Sequence, residues 1–442
     1  MDLSRGTGTI AYTIAERLKS AGHKAYFAGG CVRDFLMKKE PQDFDIATSA
    51  APAEVEALFP KTVAVGKQFG VIIVVQDDAK HFEVATFRTE DGYQDGRHPS
   101  NVKFTGPEED AHRRDFTVNG LFYDPFGKKV IDYVGGEADI AAKRIRAIGE
   151  PAKRFAEDKL RLLRAVRFAA NLNFEIEGQT WQAICKQAKE IHAVSAERIR
   201  DELIKTFTRS GAAKGYRLLS DSGLMKEILP EIEAMKGVQQ PPEYHPEGDV
   251  FVHTRMLLEQ LEGNDSIALA FGALFHDIAK PRTYAVRNGR ICFYEHAPIG
   301  ARMTEEIMRR LRFSNREIAD VAEAVANHMK FGDVQKMREG KLKRFVSRPT
   351  FSEELELHKI DCRACHGILD NYIFLKEKML EYAAEELKPE PVLNGNDLKE
   401  LGMKPGPKMK PLLEEAYELQ LEGKIKTREE AMTWARSQLT LR

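Results

Sequence analysis

The sequence predicts an α+β protein, with a mixed β-sheet head at the N-terminus followed by a mostly α-helical neck, body and tail. Three observations carry this. Val71-Ile72-Ile73-Val74-Val75 and the alternating Phe82-Glu83-Val84-Ala85-Thr86-Phe87 read as strands within the first 150 residues. From Pro151 to about Leu229 the apolar spacing turns helical and glycines become rare. The length, 442 residues, exceeds one ordinary domain and corresponds to about three at ~150 residues each.

Along the chain, an amphipathic segment (Ile10, Ile14, Leu18) precedes a short apolar strand, Ala25-Tyr26-Phe27-Ala28, which ends at Gly29-Gly30. A Pro/Gly-rich break from Gln239 to Gly248 marks a boundary, and Pro389-Glu390-Pro391 opens a basic tail with its own helix near Leu412–Leu421. The expected segments are therefore 1–150 (head), 151–240 (neck), 241–387 (body) and 388–442 (tail). Composition excludes several classes. With 43% hydrophobic and 31% charged residues the chain has material for ordinary cores. No run approaches the ~20 apolar residues of a membrane span, and the start, Met1-Asp2-Leu3-Ser4-Arg5, lacks a signal-peptide core. Five scattered cysteines make no disulfide framework, so a reducing cytoplasm is expected. A net charge of -1 rules out a uniformly basic coat for nucleic acid, though not a local basic stripe.

The first chemistry-bearing constellation is Gly29-Gly30-Cys31-Val32-Arg33-Asp34, placed after a strand and opening a helix. Paired glycines let a backbone approach a triphosphate, and an arginine one turn on neutralises it. Alone, the glycines are equally explained by the sterics of a strand-to-helix turn. Nine residues after Asp34 comes Asp43-Phe44-Asp45. On a strand, residues i and i+2 share a face, so both carboxylates project to one point. Adjacent carboxylates repel, and an Mg²⁺ pair is the common reason to hold them together; the bland alternative is a surface Asp-x-Asp turn.

These residues resemble the head of class II CCA-adding tRNA nucleotidyltransferases and the related bacterial poly(A) polymerases. Three further blocks match in order. Arg113-Arg114-Asp115-Phe116-Thr117-Val118-Asn119 resembles the family's ribose- and phosphate-contacting segment, Glu157-Asp158 through Arg161, Arg164 and Arg167-Phe168 its nucleobase template helix, and Ser195–Glu202 the helix closing the neck. The likeness covers at least residues 24–205. It implies a nucleotidyltransferase-type head with Mg²⁺ on Asp43 and Asp45. Nucleotide contacts would come from Gly29, Gly30, Arg33, Arg113, Arg114, Asp115, Asn119, Glu157, Asp158, Arg161, Arg164 and Arg167. Glu83 is a candidate third carboxylate that can equally face solvent. The polar segment Thr89–Pro99 resembles the loop that helps switch the site from cytosine to adenine addition, and it looks complete; a plain surface hairpin is the alternative.

The template segment also makes chemical sense by itself. Asp158 and Arg161, i and i+3, are expected on one helical face. A carboxylate accepting from an exocyclic amine and a guanidinium donating to ring acceptors imitate a base-pairing edge. Cytosine and adenine both offer an amino donor beside a ring-nitrogen acceptor; guanine and uracil reverse it and leave buried charge unpaired. The alternative is an ordinary ion pair between the two residues. Against it stands the local charge: residues 141–167 hold nine basic side chains against three acids (Glu150, Glu157, Asp158).

A second constellation is set by histidines. His253 lies on a helical pattern and His276-Asp277 ends the apolar run Ala268–Phe275; His296, His328 and Asp361 follow at wide intervals. Such a nitrogen/oxygen set suits a metal ion. It resembles the HD superfamily of metal-dependent phosphohydrolases, which implies an HD-type body with His253, His276, Asp277 and Asp361 as ligands of a transition metal such as Ni, Mn or Fe. His296 and His328 would support them or complete a second metal site. An inactive remnant of such a site is the alternative. Cys362-Arg363-Ala364-Cys365-His366 matches the haem-attachment string, but falls in an apparently helical stretch of a chain without an export signal, and is read as structural.

The expected function is Mg²⁺-dependent addition of CMP and AMP, from CTP and ATP, to the 3′ end of tRNA in the cytoplasm. The tail segment Lys404–Lys410 would touch the tRNA, with no membrane involved and no protein partner readable. A-only addition and poly(A) tailing remain open, as do, from other classes, an HD phosphohydrolase and an RNA-binding adaptor.

Overall fold

The computed structural model describes every residue except 1–2, 4–5, 42, 67–68, 77–79, 94–98, 244, 246–247, 383–388 and 441–442. The chain forms two compact units, Met1–Glu233 and Ala234–Arg442.

The first unit is built on a seven-stranded mixed sheet. Its strands are β1 (Ala25–Ala28), β2 (Asp45–Thr48), β3 (Thr62–Gly66), β4 (Val71–Val75), β5 (His81–Thr86), β8 (Leu121–Asp124) and β9 (Lys129–Asp132). A separate two-stranded ribbon, β6 (Arg88–Tyr93) and β7 (Pro99–Phe104), lies between β5 and β8 in sequence. Spatial order in the sheet is β3-β4-β5-β2-β1-β8-β9, and only β2 and β5 pair in parallel. The alternating burial of β5, with Phe82 and Val84 inward and Glu83 outward, follows from the period-two pleat.

Helices α1 (Gly6–Ser20), α2 (Gly30–Leu36), α3 (Pro52–Leu58), α4 (Pro107–Arg113) and α5 (Gly136–Ala141) accompany the sheet. The neck then runs through α6 (Pro151–Glu157), α7 (Leu160–Leu172), α8 (Gly178–Gln187), α9 (Ala196–Phe207) and α10 (Ala212–Asp221), ending in the short α11 (Leu224–Ile228) and α12 (Pro230–Glu233). Two short strands, β10 (Arg144–Ile145) and β11 (Glu175–Ile176), pair in parallel beside α7.

Three local expectations are corrected. Asp43 and Phe44 precede β2, which begins only at Asp45; Phe44 nevertheless turns inward, edge-on to Phe27 at 5.3 Å, so both aspartates still face outward. Asp158 is not helical. α6 ends at Glu157, Asp158 takes extended angles (φ -140, ψ 107), and its Oδ1 accepts from the Leu160 amide at 3.0 Å. Aspartate bonds backbone donors two residues on more readily than it continues a helix, which is why the break falls there. The polar segment after Arg88 is strand on both arms, with Thr89 opposite Lys103 and Tyr93 opposite Pro99; residues 94–98 lie outside the described residues.

The second unit is helical apart from the ribbon β12 (Tyr284–Arg287) and β13 (Arg290–Phe293). Its body comprises α13 (Val250–Glu259), α14 (Ile267–Phe275), α15 (Lys280–Thr283), α16 (His296–Arg310), α17 (Asn315–Asn327), α18 (Glu339–Val346), α19 (Phe351–Ala364) and α20 (Asp370–Tyr382). α14 is apolar on all faces, which marks a central helix, and it packs against α13, α17 and α19. The tail helices α21 (Gly395–Glu400), α22 (Met409–Leu421) and α23 (Arg428–Thr440) share a core around Leu398, Leu412 and Ala431. Cys362 is buried within α19 and Cys365 follows its last turn, so the haem-like string is part of a packed helix end. Among the described residues, no helix is long and apolar enough to cross a membrane.

Gly211 allows α10 to reach the neck. Its φ is +90°, and a Cβ there would meet the Ala170 carbonyl oxygen at 2.2 Å. Gly211→Ala is expected to destabilise the first unit by about 2–3 kcal/mol, through left-handed strain and overpacking together. Gly178→Ala, which has nothing within 4 Å of its Cβ, should change stability by less than ~0.5 kcal/mol. Urea unfolding of both variants on a Trp434→Phe background, where Trp181 is the only tryptophan left, measures the difference.

Candidate functional site

One wall of the candidate site follows from sheet register. Ala28 pairs with Asp45, and Ile46 with Val84, so the residue before each, Asp45 and Glu83, are neighbours on the same outward face of β2 and β5. With Asp43 they line a cavity of about 690 Å³ in the first unit. Withdrawal from water and the nearby Glu83 charge push the Asp45 carboxyl up to about 6, with Asp43 adding to the rise and Arg114 opposing it. Such a donor set fits divalent cations, which would replace the proton.

The turn after β1 brings cations to this wall. Gly29 adopts φ 69 and ψ -121, a region open to glycine, and its missing side chain leaves Arg114 Nη1 3.3 Å from where a Cβ would stand. Arg33, in the first turn of α2, donates to Asn119 Oδ1 at 2.7 Å and to Asp34 at 2.9 Å. Arg113 and Arg114 both grip the buried Asp110, at 2.8 and 3.1 Å. Gly30, Arg33, Arg113, Arg114 and Asn119 all face the cavity.

The opposite wall comes from the neck. Asp158, Arg161, Arg164 and Arg167 line the same cavity, with Asp115 between the walls. The side chains of Asp158 and Arg161 take different partners. Asp158 Oδ2 accepts from Arg198 of α9 at 2.9 Å, whereas Arg161 Nη1 donates to Glu157 at 2.8 Å and to the Arg154 carbonyl at 3.0 Å. Glu157 thus stands behind Arg161 and outside the cavity lining. The Arg164 guanidinium, 2.7 Å away, holds the buried Asp115 carboxyl down to about 2 although burial alone would raise it. Arg167 pairs with the buried Glu202 at 2.5 Å. The expected surplus of positive charge along 141–167 is therefore largely offset by acids outside that window, Asp115, Asp139, Glu190 and Glu202 among them.

Three charged lining residues are not among the candidates the sequence offers, Arg88, Lys205 and Arg209; the Phe168 ring of the template motif also lines the cavity, and Arg33, Arg164 and Arg167 stand over it at 5.6, 5.3 and 3.9 Å. A helical stripe of polar residues at 198, 202, 205 and 209 was available in the sequence as a signal for Lys205 and Arg209, since that spacing defines one face.

The second unit gathers the histidines. His276 Nδ1 faces the Ala273 carbonyl at 3.0 Å, His296 Nδ1 that of Phe293 at 2.8 Å and His328 Nδ1 that of Val325 at 2.7 Å. Each Nδ1 is turned to a backbone carbonyl, and each Nε2 points toward Asp277. Distances to Asp277 carboxylate oxygens are 3.0 Å for His276, 3.6 Å for His296 and 3.8 Å for His328; His253 Nε2 lies 3.9 Å from Asp277 and 3.1 Å from Asp361. Burial pushes His328 down to about 3 and lowers His296, so both rings are neutral at pH 7, yet their Nε2 atoms are 3.2 Å apart. The facing lone pairs of His296 and His328, and the convergence of all three rings on the Asp277 carboxylate, fit a shared cation. Two ligand triads have donor atoms within 4.8 Å of one another, His253–His276–Asp277 and Asp277–His296–His328. Asp361 enters through His253. Lys280, which the sequence reading did not single out, also reaches Asp277 at 2.7 Å.

Comparison with known proteins places these geometries. Residues 25–146 match the poly A polymerase head domain, 173–236 the probable RNA and SrmB-binding site of polymerase A, and 248–363 the HD domain. The CCA-adding enzyme of Lactobacillus johnsonii is 42% identical over 221 residues, which is 50% of this chain and 55% of that protein. That of Bacillus subtilis is 46% identical over 219 residues, 49% of this chain and 55% of the relative. The chain thus spans about half the length of the curated relatives it matches. The crystal structure of the Bacillus stearothermophilus CCA-adding enzyme in complex with CTP superposes with a TM-score of 0.73 at 26% identity, covering 99% of this chain and 98% of that one. Nucleotidyltransferase-head and HD domains both point to divalent metal use.

The charge crowding at Asp45 has a measurable sign. Its folded pKa of about 6 exceeds the ordinary 3.8, so the folded state holds the proton more tightly than the unfolded chain. This contribution to stability is complete below pH ~4 and is lost as pH rises through about 6. In metal-free protein, Asp45→Asn should therefore raise Tm above pH 6, with the gain vanishing near pH 4. Added Mg²⁺ should narrow the gap by binding the wild type. A Tm difference that does not vary with pH removes the crowding.

Proposed function

We infer that the chain belongs to the family of class II CCA-adding tRNA nucleotidyltransferases and bacterial poly(A) polymerases, with an HD domain, and that it adds CMP and AMP from CTP and ATP to the 3′ end of tRNA in the cytoplasm. The observation that carries this is the meeting, in one cavity, of the Asp43/Asp45/Glu83 carboxylates, the Arg33/Arg114 pair and the Asp158/Arg161 edge. The reaction is in-line attack of the tRNA 3′-hydroxyl on the α-phosphate, with pyrophosphate leaving.

Asp43 and Asp45 hold Mg²⁺, with Glu83 beside them as a third carboxylate. When bound, the ions lower the pKa of the attacking hydroxyl and neutralise charge on the leaving pyrophosphate. Gly29 and Gly30 let the triphosphate approach the backbone, while Arg33, Arg113 and Arg114 bind it. Asn119 and Asp115 fix the arginines at either end of the cavity: Asn119 accepts from Arg33 and donates to Asp115 at 3.2 Å, and Asp115 holds Arg164. Asp158 accepts from the base amino group and Arg161 donates to ring acceptors, each already oriented by a different partner. Arg164 and Arg167 supply charge along the same wall, and the basic tail segment Lys404–Lys410 meets the tRNA.

Base choice gives the sharpest test. Arg161→Ala should admit UTP or GTP and slow CTP and ATP use, relaxing selectivity ~5- to 150-fold, the equivalent of one lost bidentate contact at ~1–3 kcal/mol. Arg164→Ala should weaken binding without changing preference. A four-nucleotide competition assay reads both; an unchanged preference for C and A in Arg161→Ala would falsify the template role.

The histidine cluster favours a second reading alongside the first, a metal-dependent phosphohydrolase on a transition metal such as Ni, Mn or Fe. His253, His276, Asp277 and Asp361 would hold the ion, with His296 and His328 completing the second triad. His276→Ala should lower bound metal, read by elemental analysis, and abolish any phosphomonoesterase or cyclic-phosphate hydrolysis while nucleotide addition stays within a few-fold of wild type. Wild-type protein without transition metal would leave the cluster a remnant.

A further inference from the structure

The second unit contains another cavity, also of about 690 Å³, that shares no lining residue with the histidine cluster. It lies where α17, the following 3-10 turn (His328–Lys336), α18 and the tail helix α22 meet. Its floor is organised by one carboxylate. Glu354, 1% exposed, accepts from Asn327 Nδ2 at 3.1 Å and Thr350 Oγ1 at 2.8 Å and pairs with Arg348. Asn327 in turn accepts from Lys330 at 2.7 Å. A buried acid therefore aims two cations at the cavity, an arrangement costly to build for solubility alone.

Arg348 keeps one donor unsatisfied. Arg348 Nε is buried and has no hydrogen-bond partner, with Glu323 at 3.8 Å too distant to serve. Lys341, Arg344 and Lys410 add further positive charge to the lining, against Glu323, Asp333 and Glu414. Five cations and three acids line it, Arg344 being paired with Glu414 at 3.4 Å and with Glu418 behind it at 2.9 Å, and the apolar contribution comes from Met337 and Phe345. The volume falls within the ~300–1,000 Å³ of small-molecule sites.

We propose that this cavity is a second nucleotide-binding site, in which Lys330 and Arg348 take a phosphate while Glu323 and Glu414 accept from the amino or hydroxyl groups of the nucleoside. A compact ligand is favoured over a passing RNA strand by those acids in the lining. They repel a continuous polyanion but reward a molecule that carries donors as well as phosphate.

The test is the number of nucleotides bound per full-length chain, measured by equilibrium dialysis with radiolabelled ATP and Mg²⁺. Two are expected for the wild type. Lys330→Glu/Lys341→Glu, both exposed positions, should bind one, with unchanged melting temperature and unchanged nucleotide addition. Asp158→Ala/Arg161→Ala should also bind one, having lost the head site instead. Equal stoichiometry for wild type and the lysine variant overturns the proposal, including the case where that variant loses tRNA affinity and the cavity merely seats RNA phosphates. Unchanged stoichiometry in Asp158→Ala/Arg161→Ala counts against the head reading alone.

Discussion

Crowded charge is the constraint on which the head depends. Asp43, Asp45 and Glu83 converge because β2 and β5 run parallel in a fixed register, and a one-residue slip would turn the strand carboxylates into the core. The cavity that receives them is lined on its other sides by guanidiniums, which are themselves too many to leave unpaired in partial burial. The fold answers with an inner rank of acids: Asp110 behind Arg113 and Arg114, Asp115 behind Arg164, Glu202 behind Arg167, Glu157 behind Arg154 and Arg161. These pairs fix where each guanidinium points. Losing one inner acid would leave a buried charge uncompensated, which is costlier than the pair is stabilising.

The histidine cluster obeys the same logic with different chemistry. There the orienting partners are backbone carbonyls one turn back, at Ala273, Phe293 and Val325, and the groups held in place are imidazole ring nitrogens. Burial keeps His296 and His328 uncharged, so their convergence on Asp277 is stable without a proton and receptive to a cation. In both units, function-bearing atoms are oriented by partners set behind them.

What could be read in the sequence follows from this arrangement. The outer rank lies in short windows: Gly29 to Asp45, Arg113 to Asn119, Glu157 to Arg167 and His276-Asp277 carry recognisable spacing, and the strands at 71–75 and 82–87 announce themselves by apolar period. Two of the four inner acids, Asp115 and Glu202, are distant in sequence from the arginines they hold. Arg198 meets Asp158 across 40 residues and Glu202 meets Arg167 across 35, so nothing local flags either pairing. Asp110 is close to Arg114 in sequence yet reads as one more surface acid until its 1% exposure is known. Glu83 was ambiguous for a related reason: period two says which residues share its face, and only the β2–β5 pairing says what that face confronts.

The break at Asp158 shows how a wrong local expectation still led to the right pair of residues. An uninterrupted helix would have placed Asp158 and Arg161 on one rigid face, where opposite charges at i and i+3 tend to neutralise each other. Ending α6 at Glu157 prevents this. It swings the Asp158 carboxylate toward Arg198 on α9 and leaves Arg161 to Glu157 and the Arg154 carbonyl. The acceptor and the donor of the proposed base-reading edge are then held independently, by α9 and α6 respectively, with α7 between them. An edge assembled in this way can keep both charges available to a ligand, because neither is consumed by the other.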